Sequence, residues 1–220
     1  MPIYVVGAGP GDPSLLTVKA VELLRQADVV AYGDLVPEEI VTLYAPSAKR
    51  VKIGHRKEEH DTIVEQLIEE ARDRNVVILK NGDPSIFGRG VQICKKAENR
   101  GVSCQIVPGI SAFTAAAALY KIELTDGVSL RHIALFSFPH FNSEILNKVA
   151  ADTAVIFMMG ERLDMVKTAV IQNCEKNVEI YICYAITIGG GCIKIVNVDE
   201  LDKFQGVRPL LIIIRKCKHT

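Results

Sequence analysis

The sequence predicts an α/β protein built of two α/β halves, and three observations carry that prediction. The apolar run Ile3-Tyr4-Val5-Val6 passes through Gly7-Ala8-Gly9-Pro10-Gly11-Asp12-Pro13 into helically spaced Leu15, Val18 and Val21, a strand–turn–helix opening. Short β-rich runs then alternate with amphipathic segments up to Leu119, as in a parallel sheet with crossover helices. Near Thr125 the character changes to longer strands rich in Ile, Val and aromatics. A chain of 220 residues, 49% of them hydrophobic, can bury a core as one large or two small domains. The expected domains are 1–122 and 123–220.

The opening turn is not a dinucleotide fingerprint. A G-x-G-x-x-G register from Gly7 and Gly9 puts Asp12 where the third glycine belongs. Pro10 and Pro13 also remove two backbone N–H groups that pyrophosphate would need. A tight βα turn and a ligand loop both remain open. Residues 14–27 read as an amphipathic helix capped by Ser14, and 28–32 as a second strand. Asp34 lies just past that strand, either as a working carboxylate or as a cap for the helix from Pro37 to Leu43.

A third strand at 49–53 leads into Gly54-His55-Arg56-Lys57-Glu58-Glu59-His60. Charged runs between elements are ordinarily solvated, and two histidines without a third ligand do not make a metal site. Residues 61–74 read as a helix with Ile63, Leu67, Ile68 and Ala71 buried. Val76-Val77-Ile78-Leu79 has the continuous apolar character of a central strand. It ends in the turn-rich Lys80-Asn81-Gly82-Asp83-Pro84-Ser85-Ile86-Phe87-Gly88-Arg89-Gly90, a second candidate ligand loop. A helix at 91–99 stopped by Gly101, a strand at 102–107, the turn Pro108 to Ala112 and an alanine-rich helix at 113–119 complete the half.

In the second half, strands are expected at 131–138, 153–158, 178–184 and 209–215, with helices at 142–150, 161–173 and 199–204. Ile188-Gly189-Gly190-Gly191-Cys192-Ile193 reads as a hairpin-type turn. Zero net charge without a basic run argues against a nucleic-acid surface. With no apolar segment of about 18 residues, no membrane span is expected and the protein reads as cytoplasmic. The cysteines at 94, 104, 174, 183, 192 and 217 form no C-x-x-C pair and read as small buried hydrophobes, without a zinc site or a disulfide framework.

Four segments together carry a family resemblance. They are Val6 to Pro13, then Asn81-Gly82-Asp83-Pro84 with Phe87-Gly88-Arg89-Gly90, then Val107-Pro108-Gly109-Ile110-Ser111-Ala112, and finally Phe157-Met158-Met159-Gly160. In this order and spacing the chain resembles the tetrapyrrole methylases, the S-adenosyl-L-methionine-dependent C-methyltransferases of sirohaem and cobalamin synthesis. The resemblance implies two unlike α/β domains with the cofactor in the cleft between them, and a homodimer. It implies cofactor contacts at Pro10, Asn81, Gly82, Asp83, Ile86, Ser111, Ala112, Met159, Ala185 and Ile186. S-adenosyl-L-homocysteine would be the co-product. Asp34 and His55 are the implied acid/base candidates, and Arg56, Lys57, His60 and Arg89 candidate partners of substrate carboxylates.

Phe87-Gly88-Arg89-Gly90 most resembles the uroporphyrinogen-III methylating branch, which would make precorrin-2. Departures keep alternatives open. That branch has Tyr-Asp-Arg where this chain has Tyr32-Gly33-Asp34, a lysine at His55 and an arginine at Ile78. Tyr32-Gly33-Asp34 is also similar to the cobalt-precorrin-4 C11-methylating branch. A non-catalytic tetrapyrrole-binding paralogue and, more remotely, a nicotinamide oxidoreductase are the other readings.

Overall fold

A computed structural model describes residues 2–54, 56–142, 144, 151–173 and 178–216. The chain divides into two compact units, Met1–Ser111 and Ala112–Thr220.

The first unit is a parallel sheet covered on both faces. Its strands are β1 (Ile3–Gly7), β2 (Val29–Tyr32), β3 (Lys49–Lys52), β4 (Val76–Lys80) and β5 (Cys104–Val107), in the order β3-β2-β4-β1-β5. Alternation sorts their side chains. Val5, Ala31 and Ile78 pack with Val64, Leu67 and Ile68 of α3 (Lys57–Glu70) and with Ile93 and Ala97 of α4 (Gly90–Asn99). Val6, Tyr32 and Leu79 face the other way, onto Ala20 and Leu24 of α1 (Val18–Arg25) and Ile40 and Val41 of α2 (Glu38–Tyr44). Burial on both faces explains why β4 is an uninterrupted apolar run. Because the strands are parallel, their carboxyl ends lie along one edge of the sheet, where open α/β sheets place ligands.

The expected helix at 14–27 is two pieces. Asp12 caps a 3₁₀ turn at Pro13–Leu15 by accepting from Ser14 N at 2.8 Å, and Thr17 caps α1 by accepting from Ala20 N at 3.2 Å. Ser14 is therefore a donor in the turn and not the helix cap. Pro37 stands at the N-cap position of α2, so that position is not Asp34's.

The second unit is a mixed sheet of order β6-β7-β10-β8-β9. The strands are β6 (Ile133–Ser137), β7 (Thr153–Phe157), β8 (Val178–Tyr184), β9 (Gly191–Ile195) and β10 (Leu210–Lys216). Among the described residues only β6 and β7 pair in parallel there. Ile156, Ile182 and Ile212 pack with Leu163, Val166 and Ala169 of α6 (Leu163–Asn173). Val155, Leu211 and Ile213 pack instead with Ala116 of α5 (Ala112–Tyr120). That packing places α5 in the second unit, so the division falls one helix before the expected boundary at 122. The stretch 199–204 is a 3₁₀ segment, Val198–Phe204, closed by a capping box between Asn197 and Glu200. The helix expected at 142–150 falls almost wholly outside the described residues, as do Cys174 and Cys217.

Four cysteines contradict the expectation of free thiols. Cys94 of α4 is bonded to Cys104 of β5, with Cα atoms 5.1 Å apart. Cys183 and Cys192 are bonded between β8 and β9, with Cα atoms 4.0 Å apart. The first pair meets because α4 packs over its next strand. The second are register partners across an antiparallel ladder, a proximity that sequence spacing does not announce.

Candidate active site

Three loops leave the carboxyl ends of β1, β4 and β5, and their glycines interlock. Gly9 and Gly82 form an antiparallel bridge, with Gly82 N donating to Gly9 O at 2.8 Å. A Cβ on Gly109 would come within 2.4 Å of Gly82 O and 2.8 Å of Gly7 Cα, so only glycine allows this approach. Asp83 fastens the arrangement. Its carboxylate accepts from Ser85 N at 2.7 Å and from Gly109 N at 3.0 Å. Asp83 thus ties the β4 loop to the β5 loop, with both oxygens engaged by backbone. Pro10 and Gly82 are buried in this knot, while Asn81 and Ile86 at its side are half-buried. Ser111 is buried and Ala112, which opens α5, is half-buried. Asn81 and the surrounding backbone offer neutral donors and acceptors, the groups a nucleoside and an amino-acid moiety require. The residues therefore fit the implied cofactor.

The β4 loop then turns tightly around Pro84. Gly90 N donates to Pro84 O at 3.1 Å, and a Cβ on Gly88 would meet that oxygen at 2.7 Å. This turn holds Phe87 and Arg89 at φ of 54° and 61°. Left-handed backbone at non-glycine residues is strained, and such strain concentrates at functional sites.

Arg89 reaches a charged cluster on α3. Asp61 Oδ1 accepts from Arg89 Nη2 at 3.3 Å and lies 3.0 Å from Lys96 Nζ. The hydrogen bond from Lys96 chiefly holds the Asp61 carboxyl below its usual value. His60, one residue earlier, is only 6% exposed, and neither ring nitrogen has a hydrogen-bond partner among the described residues. Asp61 Oδ1 stands 3.6 Å from its Nδ1, beyond hydrogen-bond reach. Burial, then the charges of Lys80 and Arg89, depress the His60 pKa. Lys80 ends the apolar β4, and burial, then Arg89, likewise lowers its pKa. The sequence reading counted Lys80 in the second candidate ligand loop but gave it no role of its own. Its signal was present, as the one charged residue closing a strand that is buried on both faces.

The other expected residues are placed as follows. Asp34 is exposed in the turn after β2. Arg56 is exposed at the start of α3, and Lys57 is the first residue of that helix. His55 lies outside the described residues. Among the described residues no cluster of three His, Cys, Asp or Glu side chains is placed to hold a metal ion.

In the second unit, β7 and β8 run the same way on either side of β10, so their ends share one edge. Met158 leaves β7 at φ 62° with its side chain 54% exposed, whereas Met159 is 0% exposed inside the core. The methionine matching the family motif thus faces inward, and its neighbour faces out. After β8, Ala185 and Thr187 have φ of 40° and 73°, with Ala185 N donating to Pro209 O at 3.2 Å. Ala185 is half-buried and Ile186 buried. The sequence placed Met158 in the family motif and Thr187 beside an expected strand-end contact, but the left-handed backbone at both positions was not legible in it.

The first unit gathers its glycine loops at the carboxyl ends of parallel strands, the place where open α/β sheets bind small molecules. A family model described as Tetrapyrrole (Corrin/Porphyrin) Methylases matches residues 2–202. The chain belongs to that family. It is 37% identical over 169 residues to a uroporphyrinogen-III C-methyltransferase of Cyanidium caldarium, covering 71% of this chain and 67% of that protein. It is 40% identical over 169 residues to a siroheme synthase of Psychrobacter arcticus, covering 72% of this chain. The chain spans only 30% of that relative's length. A solved uroporphyrin-III C-methyltransferase from Thermus thermophilus, complexed with S-adenosyl homocysteine, superposes with TM-score 0.81 at 30% identity, covering 98% of this chain and 97% of that one. A cobalt precorrin-4 methyltransferase superposes with TM-score 0.85 at 28% identity, covering 97% and 94%.

Proposed function

We propose that the chain transfers a methyl group from S-adenosyl-L-methionine to a pyrrole carbon of uroporphyrinogen III, leading to precorrin-2. The observation that carries this reading is the glycine knot tied by Asp83 to Gly109 N, in a chain similar in sequence and fold to uroporphyrinogen-III methyltransferases. The cofactor, when bound, supplies an electrophilic methyl on a sulfonium. Pro10, Asn81, Gly82, Asp83, Ile86, Ser111, Ala112, Met159, Ala185 and Ile186 are the residues proposed to hold it. Asp83 acts by fixing the loops, and Met159 through its backbone. Catalysis then rests mainly on positioning. The methylated macrocycle must lose a proton, and Asp34, exposed beyond β2, is the proposed base, with His55 as the alternative. Arg56, Lys57, His60 and Arg89 are proposed to meet the substrate's acetate and propionate arms. A cytoplasmic homodimer is proposed as the working form. Among the described residues no helix is long and apolar enough to cross a membrane.

Transfer to cobalt-precorrin-4 is the second reading, supported by the Tyr32-Gly33-Asp34 pattern and the likeness to a cobalt precorrin-4 methyltransferase. Calorimetry with S-adenosylhomocysteine tests the cofactor assignment. Saturable binding in the micromolar range is expected, and no heat at high micromolar concentration would sink it.

A further inference from the structure

We propose that Tyr120 and the Cys183–Cys192 disulfide are positioning groups for the turn after β8, so that cofactor affinity falls when this disulfide is reduced. The proposal rests on the reading above that Ala185 and Ile186 meet the cofactor, and it adds the groups that hold them in place.

Three observations converge on this turn, all within the second unit. The first is its shape. Ala185 and Thr187 flank Ile186 at φ of 40° and 73°, and left-handed backbone is least tolerated at a β-branched residue such as Thr187. Such backbone persists only where its surroundings over-determine it. Ala185 O accepts from Ile188 N at 3.1 Å and from Gly190 N at 3.0 Å, while Ala185 N donates to Pro209 O at 3.2 Å. A Cβ on Gly190 would stand 2.0 Å from Tyr184 O, so only glycine lets the chain return this close to its own strand end. The second observation is the bond that closes the hairpin. Cys183 and Cys192 are register partners joined on the face that packs Val155, Leu211 and Ile213, and they enclose the whole turn in a ring. β9 lies at the edge of its sheet with β8 as its strand partner, so the bond is a second tie where the ladder supplies one. The third is Tyr120, the last residue of α5. Its hydroxyl donates to Gly190 O at 3.3 Å, and a Cβ on Gly191 would meet the same hydroxyl oxygen at 3.5 Å. The phenol thus braces the returning side of the turn.

Release is a thiol–disulfide exchange with a dithiol. Cys183 is 0% exposed and Cys192 half-buried, so a dithiol thiolate attacks Cys192 Sγ, and Cys183 leaves as a thiolate that takes a proton. The second thiol of the reductant then closes its own disulfide and frees Cys192 as a thiol. Two electrons and two protons pass to the cysteine pair, and the dithiol is oxidised to a cyclic disulfide. The coupling is reciprocal, so the factor by which reduction weakens cofactor binding is the factor by which bound cofactor opposes reduction.

The test uses the full chain, with S-adenosylhomocysteine and dithiothreitol as probes and equilibrium dialysis as readout. Reduction should weaken S-adenosylhomocysteine binding about ten-fold. C183A/C192A, which keeps the Cys94–Cys104 bond, should bind as the reduced wild type does and ignore dithiothreitol. Y120F removes only the hydroxyl and should weaken binding about three-fold with an unchanged melting temperature. Saturating S-adenosylhomocysteine should raise the dithiothreitol that half-reduces the pair by about ten-fold, read by mass spectrometry of alkylated Cys183 and Cys192. A merely structural disulfide would be indifferent to the ligand. Equal binding by the reduced and oxidised protein overturns the proposal, and equal binding by Y120F removes Tyr120 from it. If the oxidised wild type binds no S-adenosylhomocysteine, the cofactor reading fails instead, and amide hydrogen exchange decides the positioning alone. Faster exchange at Ile188 and Gly190 on reduction sustains it, and unchanged exchange overturns it.

Discussion

Met158 and Met159 are neighbours with opposite surroundings. The Met159 thioether is enclosed by the core that includes Ile156, Leu163 and Ile212, whereas Met158 leaves the end of β7 toward solvent. Met159→Ala should therefore lower the stability measured by urea denaturation by ~2–5 kcal/mol, the usual cost of a large-to-small core change. Met158→Ala should cost under about 1 kcal/mol, since little packing is lost. Equal losses would mean that the two side chains are placed wrongly. Residue identity showed the Met-Met-Gly motif, but which methionine faces inward is decided by the left-handed turn at 158. His60 and Arg89 were legible as charged groups at suggestive positions. The orphaned state of His60 was not, because it depends on what α4 and the end of β4 place around it. The same holds for Asp83, whose part as a tether appears only with Gly109 beside it.

Among the elements, the glycine loops carry the sharpest expectation. Gly109→Ala drives a Cβ to 2.4 Å from Gly82 O and 2.8 Å from Gly7 Cα, backbone atoms that have no rotamer by which to retreat. Gly101 has φ 72° but nothing within 4 Å of the same position. We expect Gly101→Ala to cost ~1–2 kcal/mol, the penalty for left-handed backbone alone. Gly109→Ala should cost more, by about 1–3 kcal/mol of overpacking, and should weaken S-adenosylhomocysteine binding as well. Thermal melts and calorimetry on both variants decide it; a Gly109→Ala protein with unchanged stability would contradict the interlocked loops. The strands of the first unit were readable because burial on both faces makes them continuous apolar runs. β9 was not, since Gly189-Gly190-Gly191 masks its start and only pairing with β8 makes it a strand. The break between the 3₁₀ turn and α1 also escaped the sequence reading, because Ser14 and Thr17 are both plausible caps. The two disulfides escaped because each joins positions that only the fold makes adjacent.

For the whole molecule, two α/β units were legible from the change of strand character near Thr125, while the division at 111/112 was not. Whether α5 belongs to the first or second sheet is settled by the partners of Ala116, and an alanine-rich helix carries no mark of its owner. Family membership was legible because four short segments had to agree in order and spacing, and the family match over residues 2–202 spans them. The branch of the family turns on Asp34, His55 and Ile78, where the chain departs from the uroporphyrinogen pattern. The most direct measurement of the central claim is therefore incubation of the protein with S-adenosyl-L-methionine and uroporphyrinogen III, followed by the mass of the tetrapyrrole product. We predict a methylated product with release of S-adenosylhomocysteine, and loss of that turnover in Asp34→Asn with cofactor binding retained. Uroporphyrinogen III recovered unmethylated, from protein that binds S-adenosylhomocysteine, would contradict the account.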